Sequence, residues 1–483
     1  MPASSSRKSA SADREAYRAT LDALFRRRRF GVRPGLEVIS ALLEALGHPE
    51  RRFPSIHVTG SKGKGSVAVM AQSILTAHGM RTGLYTSPHL ESYRERLRVD
   101  GRRITPREVV RGLTKVEAVA LELERSGAID RAPTFFEVTT ALAFDWFAEA
   151  EVESAVVEVG IGGRLDATNV LDSKVGVLTT IELEHTDLLG DTLAAIAREK
   201  SGILRAGMTG VVGELPPEAR AVVDAEARQR GVRLWHLGGN ITVAARELSE
   251  EGQTFDVHFP GHTVERLSLP LLGRFQPGNA ALAVAATARF GEATGRSLDD
   301  RLVRSALAKV AWPGRLERVG RRPELFYDVA HTPESARAVA QSLGEIFPLA
   351  DATENAIVFG SLKGKNVARI LDALAPLART LVLVPVRSER GAPVSELRAQ
   401  AIGRFPRIVL APSAVEGLRL ARTATGADGF TLVVGSDYLI GELLREAHGG
   451  NDEPDLSDPG TGPLPAPERP GEVPASLPRR RAP

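Results

Sequence analysis

The 483-residue chain contains no cysteine. Disulfides and thiolate metal sites are therefore excluded, and any metal must take oxygen or imidazole ligands. Charge excess is also missing: 62 basic against 60 acidic residues leave +2. There is thus no global electrostatic case for nucleic acid or a membrane surface as partner. No apolar run approaches the roughly 18 residues needed to cross a bilayer. Met1 to Ser11 is small and polar, without the apolar segment of a secretion signal, so a cytoplasmic protein is expected. What is present is ordinary for a globular chain, 43% hydrophobic and 25% charged. The length allows two or three domains with substantial cores.

The sequence is organised around Ile56 to Ser66 and the helical pattern that follows it. Ile56 to Thr59 predicts a short buried strand. Gly60, Gly63 and Gly65 punctuate a loop, and Val67, Val69, Met70, Ile74 and Leu75 recur at helical spacing. Strand, glycine-rich turn and helix present backbone N–H groups and a helix N-terminus to phosphate. Gly60, Ser61, Gly63, Lys64, Gly65 and Ser66 therefore form a candidate nucleotide-phosphate loop. Lys64 can reach a terminal phosphate, and the Ser66 hydroxyl can sit on Mg²⁺. The match is not standard, since Val58 stands where the first glycine would fall and Gly65 separates lysine from serine. The bland alternative is a glycine-rich loop with two solvated lysines.

Taken in order, residues 1–13 are expected to be a disordered tail, followed by a helix ending in Arg26 to Arg29. Those arginines suit a solvated helix end better than an anionic partner. Thr82 to Leu90 reads as a strand that breaks at Pro88, and Ala155–Val159 and Val175–Ile181 as further buried strands. A composition change at Trp312-Pro313-Gly314-Arg315 suggests a hinge. Beyond it, strands over Leu325–Val329, Ala356–Phe359, Thr380–Val386, Arg407–Leu410 and Thr431–Val434 alternate with helical patterns. This predicts a second, smaller parallel or mixed sheet with helices on its faces. Nine of thirty prolines fall in Asn451 to Pro483, and 450–483 is expected to be a disordered tail.

Three further clusters carry chemistry. Glu158 closes a buried strand before a glycine-rich turn, where open α/β sheets bind ligands. His185 lies just past another strand. Alone it suits a structural histidine, but with Ser66 and Glu158 it completes a hard-metal site with room for water and phosphate. Lys200 ends a helical pattern and in isolation reads as a solvated charge.

The succession of motifs resembles the folylpolyglutamate synthase/dihydrofolate synthase family, a branch of the Mur-ligase-like ATP-dependent amide ligases. It spans about Phe30 to Leu444: GSKGKGS, TSPHL with Glu95-Arg96-Leu97 behind it, EVGIGGRLDATN, the His185 segment, REKSGI, GRFQPGNAALA, PGRLE, YDVAH and GSDYLIGE. The resemblance implies an α/β fold, with a large P-loop-type ATPase domain on a mostly parallel sheet (14–311) and a smaller Rossmann-like amino-acid-binding domain (312–449). It implies that ATP phosphorylates a pterin-bearing carboxylate (dihydropteroate or a reduced folate) and that the amine of glutamate attacks the acyl phosphate. Such chemistry needs neutralised phosphate charge and two substrates held close and dry.

Carried over by position, Lys64 looks like the β/γ-phosphate ligand, and Ser66, Glu158 and His185 like the Mg²⁺ ligands. Gln276 and Asn279 match the adenine-side segment, and Arg315 the linker arginine that reaches the ATP phosphates. Asp328 and His331 match the motif near the ribose and reacting groups. Ser436 and Tyr438 fall by the glutamate pocket, and Ser87 and His89 on the loop bordering the pterin site. Lys200 is marked as a lysine that CO₂ can carbamylate, and a monomer is the family default.

The sequence departs from the family at Lys62 (usually asparagine), Glu184 (usually aspartate), Val329, Thr332, Lys363 to Asn366, and Asp437. Most departures lie in the carboxyl domain and bear on which amino acid is added. Two alternatives remain: a Mur-type ligase acting on another carboxylate, and a non-catalytic nucleotide-binding module.

Overall fold

A computed structural model describes residues 3–27, 31, 33–347 and 355–449. Eight strands form the first sheet: β1 (Ser55–Thr59), β2 (Thr82–Tyr85), β3 (Leu97–Val99), β4 (Arg102–Arg103), β5 (Ser154–Glu158), β6 (Val175–Leu178), β7 (Thr209–Val212) and β8 (Arg233–His236). Their order is β4-β3-β2-β5-β1-β6-β7-β8. All pairs are parallel except those made by β3 and β4 at one edge. Strand β1 is buried at every position, as expected of a central parallel strand covered on both faces. One face packs on the helices Lys64–Ala77 and Gln276–Ala293. The other packs on Ala3–Arg26, Glu37–Ala45, Pro106–Ser126 and Phe135–Glu149.

A separate antiparallel sheet, β9 (Thr242–Ser249), β10 (Gly252–Phe259) and β11 (His262–Leu269), follows and was not expected from the sequence. Its Phe255, Val257, Leu267 and Leu269 join the core around Gln276–Ala293. The last sheet holds β12 (Glu317–Gly320), β13 (Glu324–Asp328), β14 (Ala356–Phe359), β15 (Thr380–Leu383), β16 (Arg407–Leu410) and β17 (Phe430–Val434) in the order β12-β13-β17-β14-β15-β16. It is parallel except for β12, and apolar clusters cover both faces. The five carboxyl-terminal strands match the expected ones to within a few residues. The expected architecture, a large mostly parallel domain and a smaller Rossmann-like one, is the one observed.

One expectation is corrected. The first helix begins at Ala3, so much of the supposed disordered tail 1–13 is helical. Ala, Arg, Lys and Glu favour helix, and Tyr17, Leu21, Leu24 and Phe25 give the later turns an apolar stripe to bury. Arg27 ends it in an ion pair with Glu117, so it is a docked helix end. Arg28, Arg29 and the 450–483 segment lie outside the described residues.

Candidate active site

The chain places β2 and β5 on one side of β1 and β6 on the other, a reversal of strand order at β1. Ligands bind open parallel sheets at the carboxyl ends of strands beside such a reversal. Adjacent strands β5, β1 and β6 end there in Glu158, the Gly60–Ser66 loop and the Thr179–His185 segment. Gly60 (φ 145°) and Gly63 (φ 82°) take backbone conformations that side chains disfavour. A Cβ on Gly60 would lie 1.9 Å from Thr179 Oγ1, and one on Gly63 2.6 Å from Asn279 Oδ1. Gly63 begins the Lys64–Ala77 helix, whose first N–H groups open onto the loop.

The loop is clasped from β6. Ser61 N–H donates to Thr180 O (2.8 Å), Lys62 N–H to Thr180 Oγ1 (2.9 Å), and Thr179 Oγ1–H to Lys62 O (2.5 Å). Glu182 N–H returns a bond to Ser61 Oγ (2.9 Å). Sequence reasoning missed this clasp, although the paired threonines after a buried strand were a signal for it. The Lys64 ammonium donates to the carbonyls of Gly60 (2.9 Å) and Ser61 (3.4 Å). Ser66 is buried in the first turn.

Glu158 is buried, and its Oε2 accepts the Ser87 N–H (2.9 Å). Burial pushes its pKa up, while Lys64, the Ser87 N–H, Arg315 and Arg96 oppose the rise. His185 (φ 49°) stands exposed along the cleft. Desolvation by the surrounding protein lowers its pKa against the pull of Glu184, and Lys64 and Lys200 lower it further. Lys200 is 2% exposed and donates to Glu184 Oε1 (3.0 Å). Burial first, then Lys64, lowers its pKa to about 8, with Glu184 resisting. Burial pushes Glu184 up, but Lys200, Lys64 and Lys62 outweigh it and hold the carboxyl at about 2. Lys200 is thus buried and not a solvated helix end.

Gln276 and Asn279 open the Gln276–Ala293 helix beside the loop. Asn279 Nδ2–H donates to Gln276 Oε1 (3.0 Å), and Gln276 Nε2 is buried without a hydrogen-bond partner among the described residues. An orphaned amide beside a phosphate loop suits a ligand acceptor.

The small-domain sheet turns its own carboxyl ends to the same cleft, with Asp328 at the end of β13, Lys365 after β14 and Ser436 after β17. Asp328 is buried and accepts from Leu316 N–H and Ala330 N–H (both 2.7 Å). Burial raises its pKa to about 6 against the attraction of Arg315. The His331 ring bonds to Val329 O through Nδ1 (2.9 Å). Burial first, then Lys62 and Lys365, holds its pKa near 3, so it is neutral at physiological pH. Lys62 reaches from the large domain and Lys365 from the small one. Burial lowers both; the charges of Lys64 and Arg315 add to the fall at Lys62, and those of Lys62 and Arg390 to the fall at Lys365.

Three expected substrate residues are more deeply tied into the protein than the sequence suggested. Ser436 caps the Asp437–Ala447 helix, accepting from Tyr438 N–H (3.2 Å), and Tyr438 packs between the cores of both domains. His89 is buried, its Nδ1 accepting from Arg96 Nε–H (2.7 Å), and it stacks on Phe25 of the first helix. The Glu95 carboxylate pins the same loop by accepting from the N–H groups of Leu90, Glu91 and Ser92 (2.9–3.1 Å). Leu90 O in turn accepts from Arg445 Nη1 (3.2 Å) of the small domain.

A phosphate loop facing a second α/β domain across a cleft defines a Mur-ligase-type enzyme. The family model of the Mur ligase middle domain matches residues 58–287, and that of the Mur ligase glutamate ligase domain matches residues 314–437. The chain is 39% identical to Mycobacterium tuberculosis dihydrofolate synthase/folylpolyglutamate synthase over 77% of its length and 78% of that protein's. It is 30% identical to the Bacillus subtilis protein of the same name, covering 89% of this chain and 99% of that one. Among solved structures, M. tuberculosis folylpolyglutamate synthase complexed with ADP and AMPPCP superposes with a TM-score of 0.83 at 34% identity, over 91% of this chain and 99% of that one. Escherichia coli FolC in complex with DHPP and ADP gives 0.77 at 29%, over 87% and 94%. This chain belongs to the dihydrofolate synthase/folylpolyglutamate synthase family.

Proposed function

We propose that this protein joins L-glutamate to the carboxylate of dihydropteroate, a reduced folate or both, using ATP and passing through an acyl phosphate. The observation that carries this is that Lys64 and Glu158 of the large domain share one field of charge with Arg315 of the linker and with His331 and Lys365 of the small domain. Residues 14–311 bind ATP and the pterin-bearing substrate, and 312–449 bind the amino acid.

In this reading Gly60 to Ser66 cradle the phosphates, and Lys64 turns from its loop carbonyls to the β/γ-phosphates. Gln276 and Asn279 take the adenine side, and Asp328 the ribose. Arg315 neutralises the phosphoryl group in flight. Ser87 and His89 border the pterin. The glutamate lies by His331, Ser436 and Tyr438, where neutral His331 can hydrogen-bond its amine without adding a positive charge.

Ser66, Glu158 and His185 offer a hydroxyl, a carboxylate and an imidazole kept neutral by desolvation, a donor set that suits Mg²⁺ with waters. The ion would neutralise charge between β- and γ-phosphates. Lys200, with its lowered pKa, can add as a neutral amine to CO₂, forming an N–C bond and releasing a proton. The resulting carbamate would displace the Lys200–Glu184 pair, turning Glu184 toward Lys62 and Lys64. We take the working form to be a monomer. No described helix is long and apolar enough to cross a membrane, and we place the enzyme in the cytoplasm.

The test is incubation with ATP, Mg²⁺ and glutamate plus either dihydropteroate or tetrahydrofolate, with products read by mass spectrometry. A glutamyl adduct is expected with at least one acceptor. ATP turnover without an adduct would point to another acceptor or amino acid, and no ATP turnover to a binding module.

A further inference from the structure

The linker crosses from one domain to the other within five residues, and its first residue touches the phosphate-loop helix. Trp312 packs against the core of the large domain, whereas Leu316 is buried in that of the small one. A Cβ on Gly65 would lie 2.9 Å from Trp312 Cζ2 and 3.3 Å from its Cε2 and Nε1. The indole therefore occupies the space that any larger residue at 65 would need. From the other side, the Arg98 guanidinium of β3 stands 5.5 Å from the ring centroid, within cation–π range. The indole Nε1 is buried with no hydrogen-bond partner among the described residues. Packing, not a polar tether, sets the ring's position.

The far end of the linker is held by hydrogen bonds. Val329 N–H donates to Gly314 O (3.1 Å), Gly314 N–H to Glu317 Oε2 (2.9 Å) and Leu316 N–H to Asp328 Oδ2 (2.7 Å). Gly314 (φ 69°) turns the chain where a Cβ would meet Leu90 and Val329 at 3.1 Å. Arg315 thus projects from a short bridge with one foot on the phosphate-loop helix and the other on β13.

We propose that Trp312 is a positioning residue: seated on Gly65, it fixes the distance between the phosphate loop and Arg315. Phosphoryl transfer then depends on the indole more than nucleotide binding does. This rests on the role of Arg315 proposed above, so the two are tested together.

Trp312→Leu keeps apolar volume and loses the ring. It is expected to lower turnover at saturating ATP about fivefold, to leave ADP affinity within about twofold, and to be reversed largely by Trp312→Phe. In an Arg315→Ala background, adding Trp312→Leu should leave turnover within about twofold of Arg315→Ala alone, because the residue it positions is gone. Multiplied losses in the double variant overturn the proposal. So does an equal fall in ADP affinity and turnover with a lowered Tm, which would make Trp312 purely structural. Trp312→Met, a flexible filler, carries the cycle if Trp312→Leu does not fold. Full turnover by Arg315→Ala would instead overturn the role of Arg315, which keeps the two failures apart.

Discussion

On the large-domain wall of the cleft, the phosphate loop is held by backbone and hydroxyl bonds from Thr179, Thr180 and Glu182. On the small-domain wall the charged side chains rest on little of their own, since Arg315 donates to the carbonyl of Gly314 beside it (3.2 Å). The positions of Arg315, His331 and Lys365 follow from their chain segments and from charges facing them across the cleft. The first wall is preorganised whatever the domains do. The second is as good as the linker and the closure that set it. Substitutions on the first wall should therefore remove chemistry outright, and those on the second should grade it.

The strongest break is Lys64→Ala. Its helix and loop keep their backbone bonds, so the fold should survive while turnover falls at least about a hundredfold. Circular dichroism together with single-turnover phosphoryl transfer checks both halves. Full turnover by the folded variant would remove the loop from the mechanism.

Next comes Lys200→Ala, expected to cost about fiftyfold, the scale of losing a group behind a metal site. A small carboxylic acid should restore part of the turnover if a carbamate is the working form. Without carbamylation, the variant leaves Glu184 without its buried partner, and added acid should not help. Mass spectrometry of the intact protein with and without CO₂ separates the cases independently.

The two walls also differ in how far the sequence revealed them. The phosphate loop and the strands around Glu158 and Asp328 were legible because each is a local pattern, an apolar run ending in glycine or acid. The Thr179–Lys62 bond joins residues 117 apart, and His89 and Phe25 meet only in the fold. Neither contact has a local period. The β9–β11 sheet escaped notice because β9 is largely exposed and bulges interrupt the regular pairing. Trp312 opened the visible hinge motif, yet nothing local showed that its ring faces Gly65.

On the second wall, Arg315→Ala should lower turnover roughly thirtyfold with little change in Tm, as for removing one charge from a transition state. A large Tm loss with normal specific activity in the soluble remainder would place Arg315 in the scaffold and blur the contrast between walls.

The smallest effect sharpens the contrast through pH. Burial raises the Asp328 pKa from 3.8 to about 6, against the opposing charge of Arg315 and two backbone N–H groups. Folded protein therefore holds this proton between pH 3.8 and about 6 while the unfolded chain has released it. Over that window the Asp328 contribution makes stability fall as pH rises, by up to about 3 kcal/mol, and flattens above it. Activity is expected to run the other way, because in the proposed role the ionised carboxylate serves Arg315 and the ribose. An acid limb near pH 6, worth about threefold per half pH unit at its steepest, is expected in kcat/KM. Asp328→Asn should abolish that limb and the stability slope together. Arg315→Ala should move the limb to higher pH, since the charge that favours ionisation has gone. A limb that stays in place in Arg315→Ala would mean that the two residues do not sense each other, and that the second wall is as rigidly preset as the first.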